Sequence, residues 1–589
     1  MFGWCGQVAI IDLTIGQVRI ERPALKLYQA FIGGRGLAGH YLRPFATREW
    51  SDPHMPLLFF TGPLVNTPSP TSGRMTIMSR SPLTGTIGDS SVGGSLGTAL
   101  KRANLDGLII TGQSPTLCGI EINNQAIQIK PAAHLAGLST DQTGVRLKGR
   151  GASAIIGPAA ENGVRFASII IDGHFAAGRN GLGLVCAAKN LKYITVKGTH
   201  ATGVYHPEGL RAARTRILRL VAASPVLSGD FGIARFGTGA LYDLMDARAM
   251  MPTDNFRKTR FQAASRLNAH AYRQAYHPRS SGCRGCQVLC KKKTAGGTSL
   301  PEFETMSHFS ALLGNSDLAT VVEANRLCNA LGMDTISAAA TLACYAELGK
   351  RTLTPNDIIT TLHAIGNRTD IGRDLGQGAA RFARRNHHPE IAMTVKDQEL
   401  PAYDPRGALG MALAYALSTR GGCHLRAYPI SHEILRKPVA TDRFSFSGKA
   451  RIIKISEDMN AVVDSLTACK FIFFAASLEE YAQAYTAVTG QPTSAQNLLT
   501  TGERICYQER IMNAANGFSQ THDDLPPRFF EPPAHADSTP GSGPIKREAF
   551  LAARADYYLV RGLDSQGRPR EDKARQLGLR TDRLARGNG

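Results

Sequence analysis

Three cysteines fall in one short run, Cys283-Arg284-Gly285-Cys286-Gln287-Val288-Leu289-Cys290, with Cys-x2-Cys-x3-Cys spacing. Thiolates this close together are soft ligands for a metal centre, either a tetrahedral zinc or an iron–sulfur cluster, and both ordinarily take four protein ligands. The fourth must come from elsewhere in the chain. Cys328 and Cys344 lie on apolar helical patterns and read as core, whereas Cys423 and Cys469 lie beside polar, turn-like sequence, and spacing alone leaves those two equal. Arg284, Lys291, Lys292 and Lys293 flank the run and offset the negative charge of four thiolates with either metal. A structural zinc ribbon is the plainer reading, and it would need no redox partner.

The elements that must position these residues can be read from the pattern of the chain. At 589 residues it exceeds what one hydrophobic core can serve, since cores stop growing at roughly 250–300 residues. Up to about residue 203, short Val/Ile/Phe-rich runs alternate with Gly or Pro turns: Val18–Glu21, Leu57–Pro63, Leu108–Gly112, Phe166–Ile171 and Tyr193–Gly198. From Pro207 the period becomes helical, through Leu210, Ile217, Leu218 and Val221. Ser316 is the expected cap of a helix ending at Gly332, Ser337 the expected start of one ending at Gly349, and Ser477 with Glu480 a capping box for one ending at Gly490. The Pro/Ser/Gly-rich stretch Glu531–Lys546 reads as an exposed loop.

Composition narrows the class further. Eleven cysteines in so long a chain are too sparse and odd in number for a disulfide framework, which fits a reducing compartment. The first residues carry no basic leader followed by an apolar stretch, and no apolar run reaches the ~20 residues of a membrane helix. A cytoplasmic location and no membrane are therefore expected. The net charge of +21 would draw nucleic acid, an anionic cofactor or an acidic protein. Basic stretches at Arg257-Lys258-Thr259-Arg260 and Arg580–Arg586 raise the possibility of a metal-binding protein that contacts nucleic acid, but no aromatic–basic recognition module accompanies them. Solvated charged faces, and no nucleic-acid partner, are the expectation.

Several dispersed segments, taken in order, carry a more specific signal. They are Gly62-Pro63-Leu64, Thr71-Ser72-Gly73-Arg74, Ser81–Gly85, Asp172-Gly173-His174, Gly178-Arg179 through Lys189–Lys192, Gly332–Ser337, Leu400–Gly407, Arg420-Gly421-Gly422-Cys423-His424 and Asp464–Phe471. Together they resemble the tungsten-containing aldehyde:ferredoxin oxidoreductase family over nearly the whole chain. The resemblance implies an α+β multidomain fold: a β-rich, β-sandwich-like base (1–203) that binds the cofactor, then two mainly α-helical domains with the cofactor at their junction. The first of these (204–393) carries the three-cysteine run and the second (394–589) the fourth cysteine. It also implies a tungsten or molybdenum bis-pterin beside a 4Fe-4S cluster, and it places Cys469, not Cys423, with Cys283, Cys286 and Cys290.

By the same resemblance Arg74 lies between cluster and pterin. Ser91 and Gly93 in one loop, and Ala176, Gly178 and Arg179 in another, face the pterin phosphates and a bridging Mg2+. Asn329, Asp334 and Thr335, and in a matching half-site Asp464, Ala468 and Lys470, present acceptors and charge to the two pterin rings, with Arg426 nearby. Glu304 and His424 take the positions at the metal's open side, for hydrogen bonding to a carbonyl and for proton transfer. Read without the family, a histidine after Gly-Gly-Cys, as His424 is, is more often a loop residue, and Glu304 also reads as a solvated helix-start acid. The implied activity is oxidation of an aldehyde to the acid, with electrons leaving for ferredoxin or a small iron–sulfur subunit, in a chain whose assembly as a homodimer is compatible with the pattern.

Some positions depart from that pattern. Phe175 stands where a pterin-contacting arginine is expected, Ser91 where the family has asparagine, Asn329 aspartate, Phe303 tyrosine and Arg426 lysine. A family interface metal uses Glu-x-x-His, but here the sequence reads Glu323-Ala324-Asn325-Arg326, with His363 as a remaining ligand candidate, and that metal is not expected. Phe303 and Phe175 make the pocket more apolar and leave aromatic substrates open. A related tungsten-pterin reductase acting on an acid or acyl thioester is the alternative activity.

Overall fold

The computed structural model describes residues 1–532 and 543–580. The loop expected over Glu531–Lys546 and the C-terminal basic stretch fall largely outside them.

The first region builds two six-stranded sheets. The first contains β1 (Val8–Asp12), β2 (Gln17–Glu21), β3 (Leu57–Phe60), β4 (Met75–Arg80), β5 (Ile87–Val92) and β6 (Gly107–Thr111), in the order β2-β1-β6-β3-β4-β5. The second contains β7 (Cys118–Asn123), β8 (Ala126–Pro131), β9 (Ala152–Ile156), β10 (Ile169–Ile171), β11 (Phe175–Ala177) and β12 (Leu191–Lys197), in the order β11-β10-β9-β12-β7-β8. Each is antiparallel apart from one parallel pair, β1 with β6 and β12 with β7. Strand β3, Leu-Leu-Phe-Phe, is buried at every residue because it runs through the middle of a sheet covered on both faces, whereas the edge strand β2 keeps its charges in water.

Beyond Pro207 the chain is mainly helical. Pro207 opens the helix Pro207–Ala223, which buries Leu210, Ala213, Ile217 and Val221. The helix Leu318–Leu331 ends at Gly332 in the left-handed conformation, as expected, but its cap is Asp317, whose carboxylate accepts from the Ala319 and Thr320 amides. The next helix likewise starts earlier than Ser337, at Thr335, capped by Asp334. In both cases a carboxylate beside the expected serine wins, because an anion at a helix N-terminus adds a favourable dipole interaction to the hydrogen bond. The capping box of Ser477 and Glu480 and the stop at Gly490 are present. Among the described residues no single helix is long and apolar enough to cross a membrane.

The C-terminal helix Lys449–Leu466 presses its last turn onto the first sheet. Gly34 has φ +33, and a Cβ there would sit 2.3 Å from the Asp464 carbonyl; Gly62 meets the Leu466 carbonyl at the same distance. Any side chain would push the helix end away. Four hydrogen bonds then fasten the segment: Gly36 N to Ser465 Oγ, Thr76 Oγ1 to Asp464 O, Gly62 N to Thr467 Oγ1, and Arg74 N to Thr467 O.

Candidate cofactor site and cysteine cluster

The three-cysteine run forms the loop of a short antiparallel hairpin, β13 (Arg279–Ser281) with β14 (Lys291–Lys293). The Arg284 amide reaches the Gly94 carbonyl at 3.4 Å, and a Cβ on Gly93 would lie 2.3 Å from Cys283 Sγ. Only glycine lets the Ser91–Gly94 loop lie against this thiol. Cys469 comes from far along the chain, just after Thr467, whose left-handed φ of 54 ends the Lys449–Leu466 helix, and its amide donates to Thr71 O at 3.0 Å. None of the four thiols is in a disulfide.

Arg74 lies among them: burial disfavours its charge, but the thiols of Cys469, Cys283 and Cys290 together with Asp464 raise its pKa. Its Nε and Nη2 donate to Ser91 Oγ (3.0 Å) and Ser91 O (2.5 Å), which aims the guanidinium. Burial pushes the Cys469 thiol up to about 11 even with Arg74 beside it. Cys469 and Cys290 are each close enough to neighbouring thiols of the run to act on them electrostatically, yet among the described residues no three His, Cys, Asp or Glu groups close around a single ion position.

Cys423 has different company. Its Sγ accepts from Arg420 Nη2 (2.9 Å) and Nε (3.2 Å) and from the Leu425 amide (3.3 Å). Burial opposes ionisation there, but Arg420, Arg426 and Arg179 outweigh it and hold the thiol below its usual range.

A buried bed of charges lies between the first sheet and the C-terminal helices. Arg35 pairs through Nε (2.6 Å) and Nη2 (2.8 Å) with Glu509 and approaches Asp464 at 3.5 Å. Asp464 also takes Lys470 Nζ at 2.6 Å. Arg426 forks onto Asp89, whose backbone carbonyl receives Arg420. Burial alone would raise the Asp89 and Asp464 carboxyls; Arg426, Arg420 and Arg35 on the first, and Lys470 and Arg35 on the second, hold both low. Arg426 Nε, Asn180 Oδ1 and His424 Nδ1 are buried without a protein hydrogen-bond partner. Unpartnered polar atoms are rare inside proteins, and here they fit a polar ligand that takes part in the bonding.

The remaining wall carries Glu304 and His424. Glu304, in the first turn of the helix Phe303–Phe309, accepts the Ala402 amide at 2.7 Å, and its other oxygen stands 3.3 Å from His424 Nε2. Burial pushes the Glu304 carboxyl up to about 8 against the pull of the Ala402 amide and Arg179. Burial, then Arg179, Arg420 and Lys470, drives His424 well below its usual range, so the imidazole is neutral. Tyr403 packs 5.3 Å from Phe303 and 5.5 Å from His424, centroid to centroid, and its hydroxyl meets that of Tyr428 at 3.0 Å. The pair is thus an uncharged acid and an uncharged base in an aromatic enclosure.

The sequence profile described as the N-terminal domain of aldehyde ferredoxin oxidoreductase matches residues 8–198, and that described as its domains 2 and 3 matches residues 212–579. The chain belongs to the aldehyde ferredoxin oxidoreductase family. It is 35% identical to the tungsten-containing aldehyde ferredoxin oxidoreductase of Thermococcus kodakarensis, over 98% of this chain and 99% of the relative, and 33% identical to that of Pyrococcus furiosus with the same coverage. The fold is shared with the active-site complex BamBC of benzoyl coenzyme A reductase, at a TM-score of 0.85 and 20% identity, with 99% of this chain and 98% of that one covered.

Within this oxidoreductase fold the expected site residues are distributed unevenly. Arg74, Ser91, Gly93, Cys283, Cys286, Cys290 and Cys469 gather around the hairpin loop, and Arg426, Asp464 and Lys470 join the buried charges, with Ala468 buried beside them. Arg179 joins Asp334 at 3.1 Å and donates to the Glu399 carbonyl, and Thr335 Oγ1 meets Thr305 in the helix that carries Glu304. Gly178 accepts from Ser168, and Ala176 is exposed on β11. Asn329 is less engaged: its amide folds back onto the Asn325 carbonyl of its own helix. Phe175 packs against Gly93 and Gly94, with Lys291 Nζ 5.5 Å from its ring centroid, so a lysine brings positive charge to this side chain. The sequence reading overlooked Asp89, Arg35, Glu509 and Glu399. The detectable signal was Arg35 itself, a charge inside the glycine-rich run Gly33-Gly34-Arg35-Gly36, where close helix packing leaves a cation no exit to water.

Proposed function

We propose that this protein oxidises an aldehyde to the carboxylic acid at a tungsten (or molybdenum) bis-pterin centre and passes the electrons through a 4Fe-4S cluster to ferredoxin or a small iron–sulfur subunit. The observation that carries the reading is the convergence of four free thiols from two distant segments around Arg74, in a chain that also pairs the uncharged Glu304 with His424.

Cys283, Cys286, Cys290 and Cys469 would hold the cluster. Arg74 would donate between it and the pterin, while Ser91, Gly93, Ala176, Gly178 and Arg179 would face the pterin phosphates and their Mg2+. Asp334 with Thr335 and Asn329, and Asp464 with Ala468 and Lys470, would take the two pterin rings, and Arg426 would give its unpartnered Nε to the same group. When bound, the metal–pterin supplies the oxygen-transfer and redox chemistry. The protein's own part is orientation and protons. Neutral His424 donates from a ring nitrogen to the aldehyde carbonyl, and Glu304, once ionised, accepts the proton released as water adds. Phe303, Tyr403 and Tyr428 keep bulk water from the carbonyl. Free thiols throughout the described residues support a cytoplasmic location.

The division of the helical part at 393/394 belongs to the same proposal and is supported by the hairpin Thr394–Val395/Gln398–Glu399 that starts there. A homodimer does too, without an interface metal, because Arg326 occupies Glu323 at 2.6 Å. The test is turnover of a panel of aldehydes and acyl thioesters with a viologen dye as acceptor, using anaerobically purified, metal-loaded protein. Aldehyde-dependent dye reduction is expected; thioester turnover without aldehyde turnover would replace this reading with the reductase one.

A further inference from the structure

An exposed patch of aromatic rings and arginines abuts the cysteine loop and has no role in the chemistry above. Phe231 is the most exposed aromatic side chain among the described residues, 74% accessible. Phe231 and Phe236 stack with centroids 6.5 Å apart, and His270 lies 4.5 Å from Phe236. Arg235 and Arg273 place their guanidinium groups 5.7 Å and 5.5 Å from the Phe236 centroid, and Arg273 also donates to the Arg235 carbonyl. Arg235, Arg273 and His270 are exposed, and among the described residues Asp230, 3.5 Å from Arg235, is the one acid paired into the group.

The patch is built onto the hairpin that carries the thiols. Lys292 Nζ donates to the Ala234 carbonyl at 2.7 Å. Gly237, next to Phe236, lies so close that a Cβ would meet the Cys290 carbonyl at 2.8 Å. Exposed Arg279, Arg284 and Leu289 extend the same surface along the loop. An exposed aromatic centre rimmed by cations, packed through Gly237 against the backbone of Cys290, has the composition of a transient interface: aromatic and arginine anchors with charge outside.

We infer that this patch is the docking surface for an acidic one-electron iron–sulfur carrier. The inference rests on the oxidoreductase reading above and deepens it by placing the partner. The chain's charge of +21 complements an acidic protein, and charged rims act chiefly on encounter rate and orientation. One aldehyde and one water give one carboxylate, three protons and two electrons. Each encounter moves one electron to the carrier, whose oxidised cluster is reduced with no bond made or broken, so two carriers discharge one turnover.

The experiment uses the metal-loaded protein and an acidic 4Fe-4S ferredoxin, with two readouts: calorimetric binding of the oxidised ferredoxin at low salt, and aldehyde turnover with ferredoxin or with benzyl viologen. Variants Arg235→Glu/Arg273→Glu and, separately, Phe231→Ala are compared with Arg146→Glu/Lys148→Glu in the first region. For the patch variants, binding should weaken by about tenfold or more and the KM for ferredoxin should rise in parallel, while viologen-linked turnover stays at the parental rate. Phe231 is exposed enough for its alanine variant to fold. Ferredoxin binding within twofold of the parent in both patch variants, or equal weakening in the Arg146/Lys148 variant, would overturn the placement. Absence of aldehyde turnover with viologen in the parent, by contrast, would count against the enzymatic reading and leave the binding result standing.

Discussion

Burial leaves both the Glu304 carboxyl and the His424 imidazole uncharged, the state from which the proposed acid–base chemistry would start. Neither type nor spacing marks them out in the sequence, because a glutamate after Pro-Glu-Phe and a histidine after Gly-Gly-Cys are ordinary; only their meeting across 120 residues supports the shared role proposed for them. With Glu304 titrating at about 8, the carboxylate that accepts a proton is the minor form at neutral pH. kcat/KM for an aldehyde should therefore climb about tenfold per pH unit below that value and flatten above it. In Glu304→Gln the climb should vanish and the rate fall by about 10²–10⁴, with tungsten and iron content unchanged. A Gln variant with the parental rate and pH profile would remove the proposed role.

The cysteines make the same point in reverse. Cys423 and Cys469 are indistinguishable by spacing, and the difference lies in their partners: Cys423 is already saturated by Arg420 and Leu425, whereas Cys469 faces the other thiols. Cys469→Ser should lose iron and the visible absorbance of the cluster; Cys423→Ser should keep both. The reverse result would exchange their assignments.

At the scale of elements, what was legible was whatever local chemistry dictates. The strand runs, the helix start at Pro207, the glycine stops at Gly332 and Gly490 and the Ser477 box all depend on a few adjacent residues. Two helix starts were misplaced because Asp317 and Asp334 compete with nearby serines, and a carboxylate cap is favoured by the helix dipole. Long-range ionic pins were not legible at all. Arg561, fully buried, joins Asp458 and, at 2.7 Å, Glu457, and so fastens the helix Arg547–Arg561 to Lys449–Leu466, the helix that delivers Asp464 and precedes Cys469. Breaking a buried pair from one side leaves a charge stranded, so Arg561→Ala should cost about 3–5 kcal/mol in denaturant unfolding. A loss within experimental error would mean that packing, not the ion pairs, holds the two helices together.

The whole molecule is organised around a junction. Two sheets form a base, glycines let the end of a C-terminal helix touch it, and a hairpin loop closes against both. The β-then-helix division was legible from periodicity, since strands and helices differ in their apolar repeat. The contents of the junction were not, because Asp89, Arg35, Arg426, Asp464 and Glu509 come from segments far apart, and a buried cation in a sequence looks like a surface one. Net charge belongs to this scale too. Raising ionic strength from 0.01 to 0.15 M shortens the screening length from about 30 to about 8 Å, so turnover with an acidic ferredoxin should fall steeply while turnover with a small uncharged acceptor barely changes. A salt-insensitive ferredoxin rate would remove electrostatic steering.

In the proposed assignment, four thiols from two distant segments hold an iron–sulfur cluster beside a pterin-bound heavy metal. Elemental analysis of the anaerobically purified native protein, with iron, tungsten, molybdenum and zinc counted on the same sample and pterin assayed after extraction, tests it most directly. About four iron per chain, tungsten or molybdenum near stoichiometric, and a released pterin are expected. Colourless protein that holds zinc alone and yields no pterin would contradict it.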